Sequence, residues 1–274
     1  MQRGPHLHDP TEILEDLQHV RYEKKEHIAY VTLDRPEVLN GLNGRMSLEL
    51  YSIWLDAKRD KDVWAVIITG TGRAFQVGRD LKELVAHQQR GEIVPRDDPN
   101  NRFYHVEAFP KFAEFHKPVI AAIQGLVAGG GLYFVAESHI RVMAEDAYMT
   151  DGHANFGNLG APQWLIRDFD WIPALQMYMC YKRLTAQDCY RLGIVNEICP
   201  KEEVVEKATK YAKMMFEIAP PILEAGTTLA NMVVWPNPAL EQLGAALNIQ
   251  VRDVDPLGAQ MSRGFVDKKS TNRR

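Results

Sequence analysis

Two glycine-bearing turns are the features of this sequence that could carry chemistry. The first, Arg73–Leu84, contains Gly78 and follows a short apolar run. The second, Gly125–Tyr133, contains three consecutive glycines and also follows an apolar run. Glycine adopts backbone conformations that other residues resist, and it lets a ligand oxygen approach main-chain N–H groups closely. Two such turns can direct two N–H donors at one oxygen, which is what stabilisation of an enolate or a tetrahedral oxyanion requires.

The spacing of the glycines argues against a nucleotide site. Gly70 and Gly72 lack the third glycine of a dinucleotide fingerprint, because Phe75 stands in its place, and the sequence has no GxxxxGK[ST] motif. Glycine triplets also occur where a helix packs tightly on a sheet, so this role remains an alternative for Gly129–Gly131. The presence of the first turn favours a functional site over packing alone.

The pattern of apolar residues around the turns predicts an α/β fold. Short apolar or alternating runs closed by turn residues are typical of strands, and apolar residues at helical spacing are typical of amphipathic helices. Strands that alternate with helices indicate an α/β protein. The predicted strands are Ile28–Leu33, Trp64–Gly70, Pro118–Gly125 and Ile140–Ala144, and the predicted helices are 44–61, Leu132–Ala136, Ala186–Leu192, Glu202–Ile218, Pro221–Val234 and Pro238–Asp253. Residues 87–104 are charged and aperiodic, which predicts a surface loop near a site.

Composition narrows the class of protein. The chain has 274 residues, 46% of them hydrophobic and 25% charged, which is typical of a globular domain. A net charge of -4 gives no electrostatic reason to expect nucleic acid or an anionic membrane as a partner. No signal-peptide pattern or long apolar segment is present, and the three cysteines form no CxxC pair. We therefore expect a cytoplasmic protein with free thiols and no metal site.

The two turns resemble motifs of one family. Phe75–Glu83 resembles the F-x-A-G-x-D-[LI]-K-E segment of the enoyl-CoA hydratase/isomerase (crotonase) superfamily. Lys117–Gly131 is similar to the K-P-[VT]-I-A-A-[VI]-N-G…GGG segment of the same superfamily. The resemblance extends over residues 25–269, with the motifs in the family's order. Three further matches are Leu33–Asn40, Leu184–Glu197 and Phe265–Lys269.

The resemblance implies a particular architecture. Members of this family form a spiral of ββα units with perpendicular sheets, followed by a helical region through which the chains trimerise. For this chain it implies an N-terminal arm over residues 1–24, the spiral core over 25–200 and a C-terminal helical oligomerisation region over 201–274. The expected assembly is a homotrimer or a dimer of trimers.

The resemblance also implies the parts of an active site. An oxyanion hole is expected from the main-chain N–H groups of Arg79 and Gly130, and the ligand is expected to be an acyl-CoA thioester. Coenzyme A enters as part of the substrate, so no separate cofactor is expected. Its adenine end is expected near the turn that contains Phe75 and Val77. A neighbouring subunit is expected to contribute contacts at the positions of Phe265 and Lys268.

The sequence departs from the family where hydratases place two catalytic glutamates. These positions fall on Tyr133 and His153, and neither residue is a carboxylate. An imidazole can both accept and donate a proton, so His153 is a candidate general acid or base, with Asp151 as its orienting partner. Tyr133 is a candidate hydrogen-bond donor to a substrate oxygen or a water. An isolated histidine in a loop and a tyrosine on an apolar helix are also common as structural residues.

Three functions remain open at this point. The first is a hydratase-like lyase that acts on an unusual acyl-CoA with non-standard acid–base groups. The second is a hydrolase that cleaves a carbon–carbon bond of a cyclic β-diketone, since Asp151-Gly152-His153 resembles the D-G-P-H segment of crotonase-fold diketone hydrolases. The third is a non-catalytic member that binds CoA esters.

Five residues near the motifs receive structural expectations. Asp80 is expected to cap a helix, and His139, in place of the family's usual acid, is expected to be structural. Aromatic residues further along the chain are candidates for an acyl pocket or for the core. These are Trp164, Phe169 and Trp171.

Overall fold

A computed structural model of the chain describes residues 16–82, 108–156, 159–160, 162–234 and 246–247. Within these ranges, ten strands form two sheets and seven α-helices accompany them. The strands are Val20–Lys25 (β1), Ile28–Leu33 (β2), Ala65–Gly70 (β3), Ala74–Gln76 (β4), Val119–Ile123 (β5), Leu126–Ala128 (β6), Ile140–Ala144 (β7), Tyr148–Thr150 (β8), Leu184–Thr185 (β9) and Glu197–Cys199 (β10). The helices are Gly44–Arg59 (α1), Gly131–Ala136 (α2), Pro162–Phe169 (α3), Trp171–Cys180 (α4), Ala186–Arg191 (α5), Val204–Met215 (α6) and Pro220–Val234 (α7).

The larger sheet is the centre of the core. Its strand order is β1-β2-β3-β5-β7-β10, and every neighbouring pair is parallel except the β1–β2 hairpin. β5 is buried along its whole length and β3 nearly so, as expected for parallel strands covered on both faces. The strands predicted from apolar runs are confirmed, and so is the α/β class.

The smaller sheet positions the site. Its order is β4-β6-β8-β9, and β4, β6 and β8 are parallel neighbours. Each of these three short strands follows a strand of the larger sheet, so the chain passes three times from one sheet to the other. Because parallel strands end at the same edge, the three segments that follow them meet there. Those segments contain Gly78, Gly129–Gly131 and Asp151–His153.

The N-terminal boundary of the core differs from the prediction. The sequence placed residues 1–24 in an arm, whereas Val20–Lys25 pairs with β2 in full register from Val20↔Leu33 to Lys25↔Ile28. Only one end of this strand is buried, and most of its residues are polar. Its composition therefore resembles that of an exposed arm. Main-chain pairing to an apolar neighbour makes it part of the sheet.

The C-terminal helices dock on the core through α6 and α7. α6 buries Val204, Ala208 and Ala212. α7 is linked to the larger sheet through Asn231, whose Oδ1 accepts a hydrogen bond from His139 Nε2 at 3.0 Å. The predicted helix Pro238–Asp253 lies outside the described residues except at 246–247. None of the helices in the described part of the chain has the length and apolar character needed to cross a bilayer.

Candidate active site

The two glycine turns lie directly against each other. Gly78 has a φ of +85°, and a Cβ built on it would lie 2.8 Å from the main-chain nitrogen of Gly130. In return, a Cβ on Gly130 would lie 3.1 Å from Gly78 Cα. No side chain fits at the first position without displacing the second turn. We call this junction, formed by Gly78 and Gly129–Gly131, the glycine wall.

Gln76 holds the first turn in place. Its fully buried side-chain amide accepts from Gly78 N–H at 2.7 Å and donates to Gly78 O at 2.8 Å. Leu42 completes the support, since its N–H donates to Gly78 O and its carbonyl accepts from Asp80 N–H, both at 2.8 Å. In such a parallel bridge, the residue between these two bonds directs its own N–H to the opposite side. The N–H of Arg79 therefore points away from Leu42.

A buried ion pair supports the same turn. Arg35 donates to Asp80 Oδ2 at 3.0 Å and to the carbonyl of Gly41 at 2.6 Å. The other carboxylate oxygen of Asp80 accepts from Lys82 N–H at 3.1 Å, which confirms the predicted capping role. Sequence reasoning missed Gln76 and Arg35. Both lie within segments that resemble the family, but their partners are distant in sequence or within the turn itself, so the sequence did not indicate these supporting roles.

Asp151 and His153 form a hydrogen-bonded dyad at the end of β8. His153 Nδ1 lies 2.6 Å from Asp151 Oδ1, and the same oxygen accepts from His153 N–H at 3.0 Å. The side chain of Asp151 is 1% exposed and that of His153 is 18% exposed. A carboxylate oxygen at Nδ1 assigns the proton of the neutral imidazole to that nitrogen, so Nε2 is the basic atom.

The imidazole of His153 faces the glycine wall. A Cβ built on Gly129 would lie 3.7 Å from both Cε1 and Nε2 of His153. The basic nitrogen therefore lies beside the turn whose main-chain N–H groups are candidate donors. His153 and Asp151 therefore lie beside the glycine wall, which also contains Gly130.

Gly160 packs on the other side of the imidazole. Its φ is +62°, and a Cβ there would lie 2.8 Å from Cγ and Nδ1 of His153. The ring is thus enclosed between two glycines from different loops. Sequence reasoning missed Gly160, because a single glycine in a loop is a weak signal until the residue that packs against it is known.

Tyr133 lies beside the dyad. It is on α2, 6% exposed, and its ring stacks near-parallel to His153 with centroids 6.0 Å apart. The ring also makes edge contacts with Phe109, at 5.7 Å, and Trp164, at 4.7 Å. These contacts place Tyr133 and Trp164 at the site, in an aromatic wall.

The other predicted site residues fall in three groups. The ring of Phe75 is fully buried in the core, so a contact with coenzyme A from this residue is restricted to its main chain. Val77 is half-buried next to the glycine wall, with its carbonyl oxygen 3.4 Å from a Cβ on Gly129. Phe265 and Lys268 lie outside the described residues.

Three further expectations concern the scaffold. His139 is structural, as predicted, because its Nδ1 accepts from Val119 N–H at 3.0 Å and its Nε2 contacts Asn231. Burial lowers its pKa from the ordinary value for histidine. Phe169 is a core residue beneath the guanidinium of Arg141. Trp171 is 58% exposed.

Comparison with known proteins identifies the family. The sequence model of the enoyl-CoA hydratase/isomerase family matches residues 23–262. The chain belongs to this family. A probable mitochondrial enoyl-CoA hydratase from Dictyostelium discoideum is 31% identical over 194 residues, which cover 70% of this chain and 67% of that protein. An (E)-benzylidenesuccinyl-CoA hydratase from Thauera aromatica is 28% identical over 210 residues, covering 75% and 79% of the two chains.

Solved structures give the same result for the fold. A carnitinyl-CoA hydratase from Mycobacterium avium superposes with a TM-score of 0.78 at 26% identity, covering 92% of this chain and 96% of that one. An enoyl-CoA hydratase/isomerase from Mycobacterium paratuberculosis gives a TM-score of 0.71 at 30% identity, covering 92% and 97%. The chain therefore has the crotonase fold.

Proposed function

We propose that this enoyl-CoA hydratase/isomerase family member is a hydratase-like lyase of an unusual acyl-CoA, with His153 as its acid–base group. The observation that carries the proposal is the Asp151–His153 dyad, whose basic Nε2 lies beside the glycine wall. A base next to a cluster of main-chain N–H donors suits reactions that form an enolate from a thioester. The proposed donors are the N–H groups of Arg79 and Gly130.

The proposed hydration uses one residue for both proton transfers. His153 Nε2 takes a proton from water as the water oxygen adds to the β-carbon of the enoyl thioester. The double bond shifts to give an enolate, whose oxygen accepts hydrogen bonds from Arg79 and Gly130. The imidazolium then returns the proton to the α-carbon. Because one group delivers both parts of water, both add to the same face of the double bond.

Asp151 and Tyr133 are proposed to assist His153. The 2.6 Å contact with Asp151 fixes the imidazole tautomer and stabilises the imidazolium that forms after proton transfer. Tyr133 stacks beside the imidazole and is proposed to donate a hydrogen bond to the attacking water or to a substrate oxygen. Its phenol is a weak base at neutral pH, so a role as the primary base is not proposed.

A panel of 2-enoyl-CoA thioesters tests the proposal. The purified protein is incubated with each thioester, and mass spectrometry follows the gain of one water. We expect turnover with at least one thioester and a loss of roughly 10²- to 10⁴-fold in kcat for His153→Ala. His27→Ala changes an exposed histidine and is the matched control. An unchanged kcat in His153→Ala would remove His153 from the mechanism.

Hydrolysis of a cyclic β-diketone is the second candidate. A histidine held by a carboxylate can activate water for attack on a ketone carbonyl, after which the carbon–carbon bond breaks and the enolate leaving group is protonated. The same dyad favours this reaction. Loss of the diketone absorbance that requires His153, with no turnover of any enoyl-CoA, would replace the first candidate by the second.

Binding without catalysis is the third outcome. Tight binding of several CoA esters, with no product from any thioester or diketone, would identify the chain as a non-catalytic CoA-ester-binding member. This outcome leaves the acyl-CoA site in place and contradicts only the acid–base role of the dyad.

We also propose that the chain assembles as a homotrimer or a dimer of trimers through its C-terminal helices. Support comes from large apolar side chains that are about two-thirds exposed on α6 and α7: Met214 at 67%, Ile222 at 68%, Leu229 at 67% and Met232 at 69%. Ile222 and Leu229 are seven residues apart and share one helical face. Light scattering of the purified chain measures the assembly, and a monomer at micromolar concentration would contradict this proposal.

A further inference from the structure

A second set of polar side chains is buried behind Tyr133. Glu137 lies one helical turn beyond Tyr133, at the C-terminal end of α2, and its side chain is 4% exposed. The side chain of Lys111 is 7% exposed, and its Nζ lies 3.8 Å from Glu137 Oε1. The main-chain N–H of Lys111 donates to Glu137 Oε2 at 3.0 Å. The ammonium of Lys111 lies over the ring of Trp164.

Two polar atoms in this set have no hydrogen-bond partner among the residues that the structure describes. They are the acceptor Glu137 Oε1 and the donor Trp164 Nε1, and both are buried. The 3.8 Å between Lys111 Nζ and Glu137 Oε1 is too long for a hydrogen bond. Buried polar groups are almost always paired in native proteins, so an orphan donor and an orphan acceptor around one ammonium indicate a place for a further polar group.

The charges around Glu137 favour an anion when its carboxyl group is protonated. Among the described residues, the cations that act on Glu137 are Lys111 and Arg167, and the other carboxylate is that of Asp168. These charges balance when Glu137 is ionised. Arg167 pairs with Asp168 at 2.7 Å. Burial raises the pKa of Glu137 to about 7, while Lys111 and Arg167 oppose the shift and Asp168 adds to it. Protonation of Glu137 leaves these groups with one positive charge in excess, which a carboxylate can balance.

The set is connected to the dyad through two aromatic rings. The ammonium of Lys111 lies over the ring of Trp164, and this ring contacts that of Tyr133 with centroids 4.7 Å apart. The ring of Tyr133 in turn stacks on that of His153 with centroids 6.0 Å apart. The two rings therefore form an unbroken series of contacts from the dyad to Lys111.

We propose that Lys111, Glu137 and Trp164 form a specificity site for a carboxylate at the far end of the acyl group. The substrates would then be CoA thioesters of dicarboxylic acids, an inference that rests on the proposed acyl-CoA function. The ammonium of Lys111 and the N–H of Trp164 donate to the substrate carboxylate. Glu137 takes up a proton from solvent as the second carboxylate arrives, so that one negative charge replaces another beside Lys111.

Calorimetry with two saturated thioesters of equal chain length separates this inference from the proposed function. Hexanoyl-CoA and adipoyl-CoA differ in ending with a methyl group or a carboxylate, and neither has the double bond needed for hydration. We expect adipoyl-CoA to bind about tenfold more tightly or better, because hydrogen bonds to buried charged groups are strong. Lys111→Met is expected to abolish this preference and to leave the affinity for hexanoyl-CoA nearly unchanged.

The matched control is Lys210→Met, which removes an exposed lysine that pairs with Glu206 on α6. It is expected to keep the preference for adipoyl-CoA. Equal affinities of the wild-type protein for the two thioesters would overturn the specificity site and leave the acyl-CoA function standing. A Lys111→Met variant that loses affinity for both thioesters to the same extent would also overturn the specificity site and leave the acyl-CoA function standing. If neither thioester binds, the proposed function fails and the specificity site fails with it.

Glu137→Gln provides a test that does not depend on the folding of Lys111→Met. Calorimetry of the wild-type protein at pH 7.5, in buffers of different ionisation enthalpy, is expected to show proton uptake with adipoyl-CoA and none with hexanoyl-CoA. Glu137→Gln is expected to bind adipoyl-CoA more tightly than the wild type and to take up no proton. Adipoyl-CoA binding without proton uptake in the wild type, together with unchanged affinity in Glu137→Gln, would contradict the inference.

Discussion

The two sides of the candidate site present different chemical groups. The glycine wall offers main-chain groups, and its shape depends on Gly78 and Gly130 having no Cβ. The opposite side offers side chains, with a carboxylate and an imidazole in contact at 2.6 Å. Main-chain N–H donors are retained when neighbouring side chains are substituted. An acid–base pair, in contrast, is lost when either of its two side chains is replaced. The sequence motifs that resemble the family lie at the glycine wall, and the proposed non-standard chemistry lies at the dyad.

The largest effect is expected from breaking the glycine wall with Gly78→Ala. The new Cβ would lie 2.8 Å from Gly130 N, at a φ of +85° that disfavours alanine. Since the loss of one oxyanion donor costs roughly 10²- to 10³-fold in kcat, we expect a loss of at least this size. Steady-state kinetics measures it, with circular dichroism to confirm folding.

Gly193→Ala is the control for backbone strain. Gly193 also has a positive φ, +71°, but it is exposed and a Cβ there meets nothing within 4 Å. We expect a loss of roughly 1 kcal/mol in unfolding free energy with kcat unchanged. If Gly78→Ala retained as much activity as Gly193→Ala, the glycine wall would have no role in the reaction.

Asp151→Asn is expected to have the next largest effect, because it changes the dyad and leaves the glycine wall intact. The new amide group can donate to His153 Nδ1, which favours the tautomer with the proton on Nε2 and removes the base. We expect kcat to fall roughly 10²-fold or more. Nitrogen NMR of the imidazole reports the tautomer directly. Asp146→Asn, at an exposed carboxylate five residues earlier, is the control, and an equal effect of the two variants would contradict the orienting role.

Gly160→Ala sharpens the comparison by moving the imidazole without changing its chemistry. Its Cβ would lie 2.8 Å from Cγ and Nδ1 of His153, so the ring must shift. Misplacement of a catalytic group by a fraction of an ångström is expected to lower kcat about 10-fold. KM should change less than kcat, since the binding groups are elsewhere. An unchanged kcat would show that the position of the ring is not critical.

The smallest effect concerns His139, which contrasts with His153 as a histidine used only for structure. Burial lowers its pKa, so below the ordinary histidine pKa of about 6.5 the unfolded chain binds a proton that the folded chain does not. The unfolding free energy is therefore expected to be complete above this pH and to decrease as the pH falls, by about 1.4 kcal/mol for each unit of pKa difference.

Urea denaturation at pH 7.5 and pH 5.5 measures this dependence. His139→Gln should show a smaller decrease between the two pH values than the wild type, because the titrating group is gone. His27→Gln, at an exposed ring, should behave like the wild type. A pH dependence that is the same in all three proteins would assign the effect to other groups, of which His116, whose pKa burial also lowers, is one.

The amino-acid sequence by itself determined four strands of the larger sheet, the two glycine turns and the candidate dyad. The apolar composition of a run such as Val119–Ile123 is enough to predict that the strand is buried. Gly78 and Gly129–Gly131 mark turns in which a Cβ would contact neighbouring atoms. The order of the motifs was sufficient for the family. These features are local, so a window of about ten residues contains the information.

Only the tertiary structure decided which residues meet. β1 has the composition of an arm and joins the sheet through main-chain pairing with β2. Gly160 acquires its role from the ring of His153. Glu137 acquires its raised pKa from burial, to which the charge of Asp168 adds. Such contacts join segments that are far apart in sequence, and burial depends on everything packed around a group. For that reason the family could be predicted from the sequence, while the packing around the dyad and around Glu137 could not.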